Sequence, residues 1–284
     1  MCPNAVWRNL FLVSVLSTVV PVTALAEQND SAAKDQEAPE ASSNWQASIG
    51  VKLHPNRASG ITGILVPTVA GIVDTSDAVR SSTELTPFLF GSIRYKNFFI
   101  SASHFLDTNY NLKLQQSGVL VDINRNETDA NIGYYVLPSL SLSVGYKEVK
   151  FGGGLGDAKY AGPVIGISGY GSMGSGFGLY GSFAYGALTL SAAVDVSNEA
   201  KKYAYLNSEV GLAYSFDFRD RGGFLSAITL TLGYRYQNIE SKNSVPSQLV
   251  VDSGGGVLIP LGPPASVRIN NTSQGPVLGL IVTF

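Results

Sequence analysis

The ten residues from Gly275 to Phe284, GPVLGLIVTF, decide how the rest of the chain is read. Leu278, Leu280, Val282 and Phe284 are spaced two apart, and side chains alternate across a β-strand, so these four share one face. A soluble domain usually leaves its final residues loose and polar. This stretch reads instead as a complete strand with a greasy face, and Phe284 as a residue with a role of its own.

Composition points the same way. Hydrophobic residues make up 45% of the 284 and charged residues 14%, with a mean hydropathy of +0.15. That balance fits a membrane protein better than a soluble core. Past the first two dozen residues, every apolar run is broken well short of the roughly 18 residues a spanning helix needs. A chain of this kind crosses a bilayer only with strands.

Period-two segments recur upstream. Trp45, Ala47, Ile49, Val51 and Leu53 alternate with Gln46, Ser48, Gly50 and Lys52. Leu140, Leu142, Val144 and Tyr146 alternate with Ser141, Ser143, Gly145 and Lys147, and the device returns at Ala204 to Phe216 and Ile228 to Gln237. One greasy and one polar face imply two different solvents. The pattern predicts ten strands, at 45–53, 83–95, 98–106, 126–136, 139–151, 159–171, 177–190, 203–216, 224–237 and 273–284, with eight or twelve as alternatives. Short turns at 95–97, 136–139, 172–176 and 217–223 alternate with longer loops at 54–82, 107–125, 152–157, 195–202 and 238–271. The expected fold is all-β, a transmembrane antiparallel up-and-down barrel with its short turns in the periplasm. Its last strand must pair with its first, since an open edge in hydrocarbon leaves each backbone group unsatisfied.

With that pattern in place, the chain from Trp45 to Phe284 resembles the outer-membrane β-barrel proteins of Gram-negative bacteria, whose last strand ends in an aromatic residue, very often Phe. The resemblance implies that Phe284, Val282, Leu280 and Leu278 form an assembly signal read by the barrel assembly machinery, with periplasmic chaperones, outer-membrane lipid and lipopolysaccharide as further partners. The aliphatic residues preceding Phe284 on its face depart from the usual second aromatic. Tyr95, Phe98, Tyr134, Tyr146, Phe177, Tyr214, Phe216, Phe224, Tyr234 and Tyr236 fall near predicted strand ends, where amphipathic rings favour the headgroup level.

The N-terminus carries Arg8, an apolar segment from Leu10 to Val20 and Ala24-Leu25-Ala26, so residues 1–26 are expected to be a signal peptide cleaved after Ala26. Residues 27–44 lack apolar periodicity and are expected to be a disordered periplasmic lead-in, followed by the barrel at 45–284. Cys2 is the single cysteine, so no disulfide framework follows. Removing Arg8 leaves 18 basic against 21 acidic residues, which gives no case for nucleic acid.

On the polar face the charges are sparse: Lys52, Arg94, Lys147, Glu209 and Arg235 are expected in the lumen among Ser, Gly and Thr. They leave two readings open, a narrow porin-like passage or a structural ion-pair plug. Around Phe88 to Tyr95 both faces are greasy; Arg94 selects Leu89, Ile93 and Tyr95 as the lipid side. Two histidines without clustered carboxylates suggest no metal site, and no cofactor is expected. His54 reads as a loop residue. Omptin-type proteases, also ten-stranded, use Asp-His and Asp-Asp pairs, and neither histidine here has an Asp beside it. Ser103 and His104 are adjacent and must face opposite sides, so a hydrolase or acyltransferase using His104 would need a serine from a neighbouring strand. The glycine-rich run from Phe151 to Gly181 lacks the ending of a phosphate loop and reads as two strands and their turn. The apolar segment Ile61 to Val73 is expected to fold into the barrel mouth, to pack on lipopolysaccharide, or to extend the strands as a hairpin turning near Pro67. The segment 238–271 reads as a mobile surface excursion. The leading expectation is a non-enzymatic barrel, either channel or surface-binding.

Overall fold

A computed structural model describes residues 44–68, 71–74, 77–115, 118–153, 157–192, 201–219, 224–241, 245–247, 250–252, 258–260 and 265–284. The expected signal peptide and all but the last residue of the lead-in lie outside them. Ten long strands run β1 Trp45–Thr68, β2 Asp77–Tyr95, β3 Phe98–Leu114, β4 Leu120–Leu137, β5 Leu140–Gly153, β6 Ala158–Gly174, β7 Phe177–Ala192, β8 Lys201–Asp217, β9 Ala227–Ser241 and β10 Ala265–Thr283. Each pairs antiparallel with the next, and β10 returns to β1, so the sheet closes as an up-and-down barrel. At the closing seam Phe284 N donates to Ala47 O at 2.8 Å and Ala47 N to Phe284 O at 3.3 Å. The glycine-rich run forms β6, the start of β7 and their tight turn, where Ser175 adopts a φ of 52° between Gly174 and Gly176.

The register fixes the barrel's shape. Following paired residues once around leads from Trp45 through Tyr95, Phe98, Tyr134, Leu142, Ile167, Phe183, Ser208, Tyr236 and Gln274 to Arg57, which is twelve residues up the strand where the walk began. Ten strands with that stagger tilt by about 40°. A 17-residue strand such as β8 then rises roughly 43 Å along the axis, well beyond an apolar band about 25 Å tall.

The predicted strands were therefore ten in number but too short at their outer ends. Most of 54–82 and 107–125 is strand, not loop. The described residues of the segment Ile61 to Val73 pair as expected for a strand-extending hairpin: Leu65 pairs with Asp74, Pro67 with Ile72 and Thr68 with Gly71. Within 238–271, Val245–Ser247 pairs with β10 and Val250–Asp252 pairs with Leu258–Pro260, so the excursion contains strand pairing.

Facing follows the alternation. Leu89, Ile93 and Tyr95 are exposed on the outer wall while Phe88, Phe90 and Arg94 are buried inside. Ring pairs mark the periplasmic rim: Trp45–Tyr95 at 4.5 Å, Phe98–Tyr134 at 4.9 Å, Phe177–Tyr214 at 4.6 Å and Phe224–Phe284 at 4.6 Å. Inward glycines seat lumen rings, since a Cβ on Gly50 would strike Phe90 and one on Gly178 would strike Tyr170.

Four outward prolines, Pro55, Pro87, Pro163 and Pro276, sit where each outer face turns from apolar to polar, and each lacks an N–H for the ladder. Pairing lapses beside all four. The longest lapse lies between β2 and β3, where Ser82–Pro87 and Leu106–Asn111 have no partners across the gap. Both strands carry an extra residue there against their other neighbours, β2 opposite Ala58 and β3 opposite Asn126, so the two bow apart into a slot. Side chains span it from inside: Asn56 Nδ2 donates to Thr86 Oγ1 at 3.0 Å, Tyr110 OH donates to Asn56 Oδ1 at 2.8 Å, and the Thr86 and Tyr110 hydroxyls lie 3.1 Å apart.

Candidate functional site

Inward positions of distant strands converge at the level of the outer half of the apolar band. Lys52 Nζ donates to Glu209 Oε1 at 2.5 Å, and Arg235 Nη1 lies 4.0 Å from Glu209 Oε2. Lys147 Nζ donates to Glu127 Oε2 at 2.6 Å and to Asp129 Oδ2 at 2.9 Å. Tyr180 OH donates to Glu209 at 3.0 Å, and Gln237 Nε2 donates to both Glu127 oxygens at 3.2 Å. Aromatic faces complete the packing, with Arg235 4.7 Å and Lys147 5.4 Å from the Phe105 ring centre, and Lys52 5.5 Å from that of Tyr180. These groups come from β1, β3, β4, β5, β7, β8 and β9, so the cluster spans the lumen from wall to wall. Charge-assisted bonds among groups excluded from water are strong and mutually dependent.

Of the five lumen charges expected from sequence, Lys52, Lys147, Glu209 and Arg235 meet here. Arg94 does not: it lies near the periplasmic end, 4.3 Å over the Tyr135 ring, and its Nε donates to Lys96 O at 2.6 Å. Sequence reading missed Arg125, Glu127, Asp129 and Gln237. Arg125, Glu127 and Asp129 have the even spacing of one strand face; Arg125 fell in the expected loop 107–125, while Glu127 and Asp129 lay within the expected strand 126–136 without being singled out. His54 is not a loop residue. It is buried in β1 with Nδ1 3.0 Å from Pro276 O, because the strand continues past Pro55.

His104 and Ser103 face opposite sides as parity requires. Ser103 points inward and donates to Asp129 Oδ2 at 2.9 Å. His104 points out toward the membrane boundary, with Nδ1 2.9 Å from Thr128 Oγ1, so the hydroxyl it meets is a threonine's. Among the described residues, no group of three His, Cys, Asp or Glu side chains could hold a metal.

Above Tyr146 the outer wall carries a cleft of about 570 Å³, lined by Asp107, Asn124, Asn126, Lys150, Asp157 and Lys159 among others. Lys150 Nζ lies 2.8 Å from Glu148 Oε1, and Lys159 contacts its other oxygen. These two bonds hold the Glu148 carboxyl below its ordinary titration range. The C-terminal residues Leu278, Leu280, Val282 and Phe284 all lie on the outer face of β10 or at its end.

No family model and no curated protein matches this chain. Solved structures do. The outer membrane protease OmpT from Escherichia coli is 13% identical over 84% of this chain and 97% of its own, with a TM-score of 0.50. The P. putida toluene transporter TodX (13% identity, 86% and 91% coverage, TM-score 0.29) and Neisserial surface protein A (12%, 86% and 100%, TM-score 0.27) are also similar. At these identities the likeness shows the fold alone, that of bacterial outer-membrane β-barrels.

Proposed function

We propose that the protein is a non-enzymatic barrel of the Gram-negative outer membrane, shut at membrane level, whose strand extensions above the bilayer serve as a structural or surface-binding platform. One observation carries this reading: the Lys52–Glu209–Arg235 and Lys147–Glu127–Asp129 cluster fills the lumen with buried, mutually bonded groups. It favours the plug over the narrow porin-like passage. The apolar outer face and ring-lined periplasmic rim fit a lipid surround, lipopolysaccharide faces the cleft beside Lys150, and Phe284 at the seam fits recognition by the assembly machinery. Planar-bilayer recording tests the reading. The refolded chain should give no steady single-channel steps, whereas the double variant Lys52→Ala/Glu209→Ala should give them; steps from the unaltered protein would restore the channel reading.

A second reading, a lipid-modifying hydrolase or acyltransferase, has one observation behind it: the His104–Thr128 pair is exposed on the outer wall. Its chemistry would also require a group orienting the far ring nitrogen. Lipid A and phospholipid turnover that is unchanged by His104→Ala would remove it.

A further inference from the structure

The lumen charges do not cancel. Among the described residues Lys52, Arg94, Arg125, Lys147 and Arg235 face inward, against Glu84, Glu127, Asp129 and Glu209, five cations to four carboxylates. All but Glu84 and Asp129 are more than nine-tenths buried. A net charge withdrawn from water is costly unless an opposite charge joins it.

Among these cations Arg125 is the one with buried, unsatisfied donors. Its Nη2 pairs with Glu127, and its guanidinium stands 5.3 Å from the Phe151 ring centre. Glu127 is already shared with Lys147 and Gln237. Arg125 Nε and Nη1 are buried with no hydrogen-bond partner among the described residues. Arg125 lines a cavity of about 10 Å³ together with Asn56, Thr86, Tyr110, Gln237 and the Glu127 it is paired with, room for about one water. Thr86 and Tyr110 are also the groups that span the β2–β3 slot, so the cavity lies directly behind it. Outside, Leu85 and Leu106 are exposed on the slot's two flanks at the upper edge of the apolar band.

We propose that this cavity is a binding site for one small, singly charged anionic group, held by the free edge of Arg125 and reached through the slot between β2 and β3. Two sources carry that chemistry. A halide, somewhat larger than the one water the cavity holds, fits with a small outward shift of the side chains around Arg125. The carboxylate of a single-chain fatty acid, its tail leaving between Leu85 and Leu106, fits once the Thr86–Tyr110 bond parts.

The test uses the full barrel refolded in lipid-free zwitterionic detergent, with unfolding midpoints read at equal ionic strength in sodium bromide, sodium methanesulfonate, and methanesulfonate with added dodecanoate. A site that saturates should raise the midpoint by on the order of 3 °C. A rise with bromide alone assigns a dissolved ion; a rise with dodecanoate but not acetate assigns a fatty acid. Arg125→Gln should abolish either rise. If that variant fails to fold, a bromide-soaked crystal of the unaltered protein should show an anomalous peak within hydrogen-bond distance of Arg125 Nη1. Identical midpoints in all media together with no bromide peak would overturn the proposal, as would an undiminished rise in Arg125→Gln.

Discussion

The barrel at membrane level and the barrel above it are built from the same strands with opposite outer faces and different insides. In β5, Leu142 and Val144 face out while Ser141, Ser143 and Lys147 face in; one step further, Val149 faces in and Lys150 faces out. In β9, Leu230 and Leu232 are outside and Thr231 and Arg235 inside, until Ile239 turns inward between Asn238 and Glu240. The upper interior is an apolar core of Val149, Tyr160, Val164, Leu188, Tyr203 and Ile239. Parity never changes along these strands; polarity does. Where the outer solvent is hydrocarbon, aliphatic side chains gain little by turning inward, and the polar ones collect in the lumen among rings such as Phe88, Phe90, Phe99 and Phe105. Where it is water, ordinary hydrophobic burial resumes and the core turns greasy.

The contrast can be broken most severely at its lower side. Lys147→Ala leaves Glu127 and Asp129 buried without their shared cation and should cost about 3–5 kcal/mol, seen as a lower urea midpoint of the folded, fast-migrating form. A loss under 1 kcal/mol would mean water reaches the cluster.

Next in size is a charge placed on one outer face at two heights. Val210→Arg lies at mid-band and should destabilise by about 2–4 kcal/mol in lipid vesicles, whereas Ala204→Arg, six residues higher on the same face of β8, should stay within about 0.5 kcal/mol. Equal costs at both sites would place the hydrocarbon boundary elsewhere.

The upper core should behave as a soluble one. Ile239→Val removes one buried methylene and should cost about 0.5–1.5 kcal/mol by the same unfolding measurement. The smallest effect belongs to the outer wall. Glu148 has a lowered folded-state pKa, so its stabilisation is present above its unfolded value and is lost as pH falls below 4.5 through the folded value. Glu148→Gln should shift stability at pH 7 by no more than about 0.5 kcal/mol and flatten that acid response, read from midpoints between pH 7 and pH 3.

That inversion also explains how much was legible beforehand. Strands were recognised by greasy-out, polar-in alternation, and they were placed well wherever lipid is the outer solvent: the periplasmic ends of β1, β2, β3 and β7 at Trp45, Tyr95, Phe98 and Phe177 coincide with expectation. Above the boundary the same alternation is written with reversed polarity. There Ile123 faces in and Asn124 faces out, so the stretch up to Arg125 read as loop although Arg125 faces the lumen. His54 was lost because the expected strand stopped at Leu53, before Pro55, whereas the strand runs on to Thr68.

What the sequence determined by itself is local. Period-two alternation assigns each side chain a face, the shortage of helix-length apolar runs leaves strands as the only means of crossing, and a greasy last strand calls for closure. Which charge meets which was decided only by the tertiary structure. Lys52 and Glu209 are 157 positions apart, and they face each other because ten strands close with a stagger of twelve. Strand number and shear are properties of the whole ring, so no window of sequence contains them, and the plug, the slot and the unpaired edge of Arg125 follow from that closure.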